Sequence, residues 1–165
     1  LALAEALHPD LRLKWPNDLW WQGRKLAGIL IETAGTALPQ ASRVVVIGVG
    51  LNIEPPADDG FSTPPAGLRE LLPTIDAPAA LLRMAAPLTR AVLAFELHGF
   101  APLAERFNAR DALAGRAVRL SDGLAGTARG VAADGALRVQ TVDGLRLVNS
   151  SEVSVRPLRD QEPVP

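Results

Sequence analysis

Cysteine is absent from this chain of 165 residues, which rules out disulfides and thiolate metal sites and suits a reducing compartment such as the cytoplasm. A charge excess is missing too. With a formal net charge of -1, no global basic field draws the chain to nucleic acid or to an anionic membrane. Aromatics make up only 4%, and residues 115–157 contain none, so the scattered Arg116, Arg119, Arg129 and Arg138 have no stacking partners there for nucleotide bases. Long hydrophobic runs are lacking. Residues 26–31 and 44–51 are strand-length and fall well short of the ~20 residues of a membrane span. No basic segment precedes the Ala/Leu-rich start, so it does not read as a secretory signal.

What is present is the composition of a globular protein, 48% hydrophobic and 21% charged, long enough for one good core and a small appended domain. The chain opens at Leu1 inside a helical pattern (Leu1, Leu3, Ala4, Leu7) and is expected to be the back portion of a larger protein. Pro9-Asp10 ends that helix, and residues 11–15 read as a short strand stopped by Pro16. Residues 19–21 and 25–32 flank Gln22-Gly23-Arg24 as a tight hairpin. The near-continuous apolar run 44–53 implies a strand buried on both faces.

Proline and glycine crowd residues 54–78, which predicts a loop with at most a short helix at 68–72, either a ligand lid or an irregular connector. Residues 79–98 form the best helix candidate, its apolar face carried by Leu81, Leu82, Ala85, Leu88, Val92, Phe95 and Leu97, with Pro87 expected to kink or split it. A second helix should begin near Pro102. Beyond Gly115 five short alternating runs (117–120, 127–131, 136–140, 145–148, 153–156), punctuated by Asp122-Gly123, Asp134-Gly135 and Asp143-Gly144, read as a small SH3-like barrel. The division expected is 1–113, then 114–158, then a frayed tail 159–165.

Chemistry concentrates in three ordered blocks: Lys14-Trp15-Pro16-Asn17-Asp18, Arg24-Lys25-Leu26-Ala27-Gly28 and Gly48-Val49-Gly50-Leu51-Asn52. Lys25, beside a turn and an apolar strand, suits a carboxylate or phosphate. Gly28, Gly48 and Gly50 weaken strands unless something must approach closely. Asn17 and Asn52 each offer the donor and acceptor that an adenine edge needs, and Asp18 could accept from a ribose hydroxyl or help hold a metal. Each residue also has a bland reading. A hairpin lysine is usually a solvated charge, strand glycines mark bulges or packing, Asn-Asp after proline is a common turn, and Trp15, Trp20 and Trp21 are core or interface anchors.

Taken in order and spacing, the three blocks resemble the central block of biotin protein ligases. A weaker similarity runs through Gly99-Phe100-Ala101-Pro102-Leu103 and into residues 115–157. The resemblance implies an α+β fold in which a mixed or antiparallel sheet with packed helices, of the class II synthetase-like biotin/lipoate ligase type, precedes the SH3-like barrel. It implies activation of biotin by ATP with Mg2+ to biotinyl-5'-AMP, then transfer to a lysine of a biotin carboxyl carrier domain of a biotin-dependent carboxylase. On this likeness Lys25 is the catalytic lysine contacting the biotin carboxylate and the adenylate phosphate, and Gly28, Leu30 and Gly48 line the biotin pocket. Asn17, Asp18, Gly50 and Asn52 fall on the nucleotide side, with Asp18 also a metal candidate and Phe61 a candidate for packing on adenine.

The family's Gly-Arg-rich loop and its biotin-contacting Ser/Thr region have no counterpart in residues 1–12, so the 165-residue piece alone is expected to be inactive or weak. No helix-turn-helix is present in it, no nucleic-acid or membrane partner is expected, and a homodimer is left open. A lipoate or octanoate ligase and a non-catalytic carrier-binding module are the alternatives.

Overall fold

The computed structural model describes residues 1–35, 43–57, 60–149 and 155–158. The tail expected at 159–165, and the first two residues of the strand expected at 153–156, lie outside them. The architecture is α+β with two antiparallel sheets. A short helix α1 (Ala2–Leu7) leads into β1 (Arg12–Lys14), β2 (Asp18–Trp21), β3 (Arg24–Gly35) and β4 (Arg43–Leu51), which form a four-stranded sheet in that order. Among the described residues no helix is long and apolar enough to cross a membrane.

The hairpin between β2 and β3 turns on Gln22 and Gly23, both at positive φ (49° and 74°), the requirement of a tight two-residue turn that continues the strand twist. A bulge then sets the register. Leu19 pairs with Ala27 and Trp20 with Lys25, so Leu26 is the extra residue and turns with Ala27 into the core. Trp15–Pro16, between β1 and β2, is a cis peptide.

Three expectations are corrected here. The run 44–53 does not lie buried on both faces, because Val44, Val45 and Val46 are about half exposed. Among the described residues β4 pairs with β3 alone, and these valines keep about half their surface uncovered. The long helix α2 (Ala77–His98) is not split at Pro87, which lies inside it. Asp76 caps it by accepting from the Ala79 amide at 2.8 Å, and Thr89 donates its hydroxyl to the Ala85 carbonyl in the turn around the proline. Its buried positions are Ala80 and Met84, with Leu88 partly buried, whereas Leu81, Leu82, Val92, Phe95 and Leu97 of the predicted face are exposed, Leu82 by 78%. The stripe Ala80, Met84 and Leu88 meets the core, and most of the predicted face does not.

A one-turn 3-10 helix (Leu68–Glu70) punctuates the proline-rich loop; a second (Ala101–Leu103), opening with Pro102, leads into α3 (Ala104–Asn108). Then β5 (Ala117–Leu120), β6 (Ala125–Val131), β7 (Leu137–Thr141), β8 (Gly144–Val148) and β9 (Val155–Pro157) build the SH3-like barrel sheet in the order β8-β7-β6-β5-β9. Gly123, Gly135 and Gly144 stand at positive φ in the predicted Asp-Gly turns. The two sheets share one hydrophobic cluster, running from Leu3, Leu7 and Leu19 through Phe107 and Leu113 to Val118, Leu137 and Val155. Polar ties reinforce it: Trp15 Nε1 donates to the Gly135 carbonyl at 3.0 Å, and Asn108 exchanges two hydrogen bonds with the Val131 backbone.

Candidate functional site

Strand alternation sorts the first sheet into two faces. Leu13, Leu19, Ala27, Ile29, Val49 and Leu51 point to the core. The register Lys14↔Asp18↔Gly28↔Gly50, with Leu30↔Gly48 one pair further along, therefore sets all six residues on the opposite face. The sequence-predicted Asp18, Gly28, Leu30, Gly48 and Gly50 thus form one surface, and Lys25 reaches it from the bulge.

At its centre Asp18 is held between two ammonium groups. Lys25 Nζ lies 2.7 Å from Oδ1 and Lys14 Nζ 3.6 Å from Oδ2. Asp18 and Lys14 are largely covered, at 12% and 13% side-chain exposure, while Lys25 is 45% exposed and so is the cation an incoming anion meets first. Burial pushes the Lys14 ammonium below its ordinary pKa; Asp18 opposes that shift, and Lys25 and Arg156 of β9 add to it. Lys14 and Arg156 carried no assigned role from the sequence. The signal for Lys14 was its place four residues before Asp18, across a turn that brings the two together; Arg156 had none, since only the tertiary fold brings the barrel to this surface.

Gly28 has a local reason to lack a side chain. A Cβ there would lie 3.3 Å from Lys25 Nζ and 3.5 Å from Asp18 Oδ1. Across from it a Cβ on Gly50 would meet only the Gly28 carbonyl at 3.8 Å, and one on Gly48 the Leu30 backbone at 3.8 Å. Packing does not demand those two glycines. They leave a bare floor beside the charged cluster, open enough for a flat ligand.

The asparagines are engaged in scaffolding. Asn17 Nδ2 donates to the Ile29 carbonyl at 2.7 Å, and Ile29 N returns a bond to the Asn17 carbonyl. Asn52 Nδ2 donates to the Ala66 carbonyl at 3.1 Å and the Lys25 carbonyl at 3.4 Å. Through Asn52, and through backbone bonds from Lys25 N to Pro64 O and Ala66 N to Lys25 O, the second half of the proline-rich loop is strapped to the lysine's own backbone. Arg24 completes the strap by forking onto Glu70 at 3.1 and 2.6 Å and stacking over Trp21 at 4.9 Å. Arg24 and a backbone bond from Gly67 hold the Glu70 carboxyl below its ordinary pKa. Phe61, in the first half of the loop, stands exposed.

Asp18 does not by itself make a metal centre. Both its oxygens face ammonium groups, and among the described residues no group of three His, Cys, Asp or Glu side chains converges. What the surface supplies is positive charge beside an open floor.

The class is that of the biotin and lipoate protein ligases: the model of the biotin/lipoate A/B protein ligase family matches residues 5–52, the stretch that carries the lysine–aspartate cluster. Within that class the chain belongs to the biotin protein ligase family. The biotin protein ligase C-terminal domain model matches residues 114–156. The chain is 32% identical to the biotin–[acetyl-CoA-carboxylase] ligase of Paracoccus denitrificans, over 92% of this chain and 67% of that one. It is 33% identical to the bifunctional ligase/repressor BirA of Escherichia coli, over 94% of this chain and 51% of that protein; it thus spans about half the length of several curated relatives. The fold is that of the Aquifex aeolicus biotin protein ligase, with a TM-score of 0.80 at 22% identity over 95% of this chain and 71% of that one.

Proposed function

We propose that this chain forms the lysine-bearing part of a biotin–[biotin carboxyl carrier protein] ligase, which activates biotin with ATP to biotinyl-5'-AMP and passes the biotinyl group to a carrier-domain lysine. The observation that carries this is the Lys14–Asp18–Lys25 cluster beside the floor that the register makes by setting Gly28 against Gly50. Residues 1–113 are the portion of the catalytic unit present, and 114–158 the barrel that brings Arg156 toward it. Family membership and the names of the relatives support biotin over lipoate as the acid.

Activation replaces a poor leaving group by AMP, and charge accumulates on the carboxylate and the α-phosphate as the new P–O bond forms. Lys25, half exposed and pinned by Asp18, is placed to neutralise that charge without reorganising. Asp18 and the buried Lys14 hold the ammonium in position. Gly28, Gly48 and Gly50 admit the ring and chain of the acid, with Leu30 as an apolar wall. Asn17 and Asn52 serve the nucleotide side by shaping the backbone through which it would be read. Mg2+ fits this site only as an ion carried by the ATP phosphates, since the described residues offer it one already-paired carboxylate.

Lys25→Ala in the intact protein tests the assignment. Biotin-dependent ATP–pyrophosphate exchange should fall by about a hundredfold or more. Near-normal exchange would remove Lys25 from the mechanism, and exchange driven by lipoate but not biotin would move the protein to the lipoate branch.

A further inference from the structure

Lys25 lies directly beside the bulge at Leu26, where the strand ladder is interrupted. Its ammonium, on a flexible four-carbon stem, sits 2.7 Å from Asp18. Asp18 holds the head of the side chain, so its base must be held by something else. Both main-chain groups of Lys25 are bonded to the proline-rich loop. Its N–H donates to the Pro64 carbonyl at 2.9 Å and its carbonyl accepts from the Ala66 amide at 2.8 Å, a parallel bridge centred on Pro65. The placement of the ammonium therefore depends on where residues 64–66 sit.

The side chain of the preceding residue ties them down. Arg24 donates to the Pro65 carbonyl at 3.4 Å and forks onto Glu70 at 3.1 and 2.6 Å, while Glu70 Oε1 also accepts from the Gly67 amide at 2.8 Å. The strap is thus closed into a ring, from Arg24 to Glu70, to Gly67, through Ala66 to Lys25 and back to Arg24. Its far side has no slack, since a Cβ on Gly67 would lie 2.5 Å from Pro55 Cδ. Arg24 and Glu70 keep 29% and 30% of their side chains exposed, and an ion pair that open to water adds little to global stability. Its two-pronged geometry, one residue from Lys25, suits alignment instead.

Resting on the ligase reading above, we propose that Arg24 and Glu70 are positioning residues for the adenylation step, acting through the Pro64–Ala66 strap to hold the Lys25 main chain and hence its ammonium. The charge that Lys25 meets builds up only as the new P–O bond forms, so the effect falls on kcat and not on KM.

The test uses the intact protein and a cycle of Arg24→Gln, Glu70→Gln and both together, each assayed for biotin-dependent ATP–pyrophosphate exchange and for its thermal midpoint. Glu70→Gln is isosteric and keeps an acceptor for the Gly67 amide, so it alone decides through kcat, KM and midpoint if Arg24→Gln does not fold. Each single variant should lose roughly tenfold in kcat, with KM for biotin and for ATP held within about twofold and the midpoint within a few degrees. The double variant should lose no more than the worse single one, because the two side chains act as a unit. Losses that multiply in the double variant overturn the proposal, as do an unchanged kcat, a loss carried by KM, or a midpoint that collapses along with the rate. A wild-type protein with no biotin-dependent exchange overturns the parent reading instead, a failure visible before any variant is made.

Discussion

The two sheets use glycine for opposite purposes. In the barrel, Gly126 of β6 lies against β7 so closely that a Cβ would run into the Gln140 carbonyl oxygen and come within 2.8 Å of Val139 Cγ1. In the first sheet, a Cβ on Gly50 or Gly48 meets nothing nearer than 3.8 Å, and on Gly28 its nearest neighbour is the flexible end of Lys25. The barrel removes side chains so that strands can close on one another. At Gly48 and Gly50 of the first sheet the space stays open. Burial follows the same division: Val118, Val139 and Val155 are fully enclosed, whereas Leu30, Ile31, Val44 and Val46 of the open sheet are about half exposed. Glycine in a strand therefore points to a ligand only where the space it leaves stays empty.

The sharpest way to break this contrast is to add a methyl group on each side of it. Gly126→Ala should cost about 3 kcal/mol of unfolding free energy, because its clash is with backbone and cannot be relieved by a rotamer change. Urea unfolding measures this directly, and a loss under about 1 kcal/mol would show that the barrel seam is not tight. Gly28→Ala should leave stability within about 1 kcal/mol, since Lys25 Nζ can yield by a few tenths of an ångström. That same displacement moves the ammonium, so pyrophosphate exchange should drop about tenfold. Loss of stability without loss of exchange would reverse the reading and make Gly28 a packing glycine like Gly126.

What could be read beforehand follows the locality of each signal. The Asp-Gly turns and the strands between them were visible because turn chemistry and period-two alternation are local, and β5 falls at 117–120 as expected. The three blocks were visible as residues, but the surface they form depends on a bulge at Leu26, and no sequence pattern announces a bulge without its partner strand. The helix face was misjudged for a related reason. Hydrophobic spacing in α2 marks Leu81, Leu82, Val92, Phe95 and Leu97, yet the buried positions are Ala80 and Met84, because burial is set by where the neighbouring elements lie and not by the helix's own spacing. The exposure of Val44 and its neighbours was equally hidden, since an apolar strand reads alike whether its faces are covered or open.

The smallest predicted effect lies at the seam between the sheets, where Asp111 bridges to Leu13 of β1 just before the barrel begins. Burial raises its carboxyl pKa, and the hydrogen bond from the Leu113 amide only partly offsets this. The folded protein therefore binds more protons than the unfolded chain between the ordinary aspartate pKa and the raised one. Stability must decline as pH rises through that window, and the penalty of the buried charge persists at neutral pH. Asp111→Asn removes the charge and keeps an acceptor for Leu113, so the variant should gain a few tenths of a kcal/mol to about 1 kcal/mol at pH 7 and nothing at pH 3. Urea midpoints compared at the two pH values give the slope. A variant destabilised equally at both would mean that the Asp111 carboxylate has found a partner within the folded chain, and the seam would then be as closed as the barrel beside it.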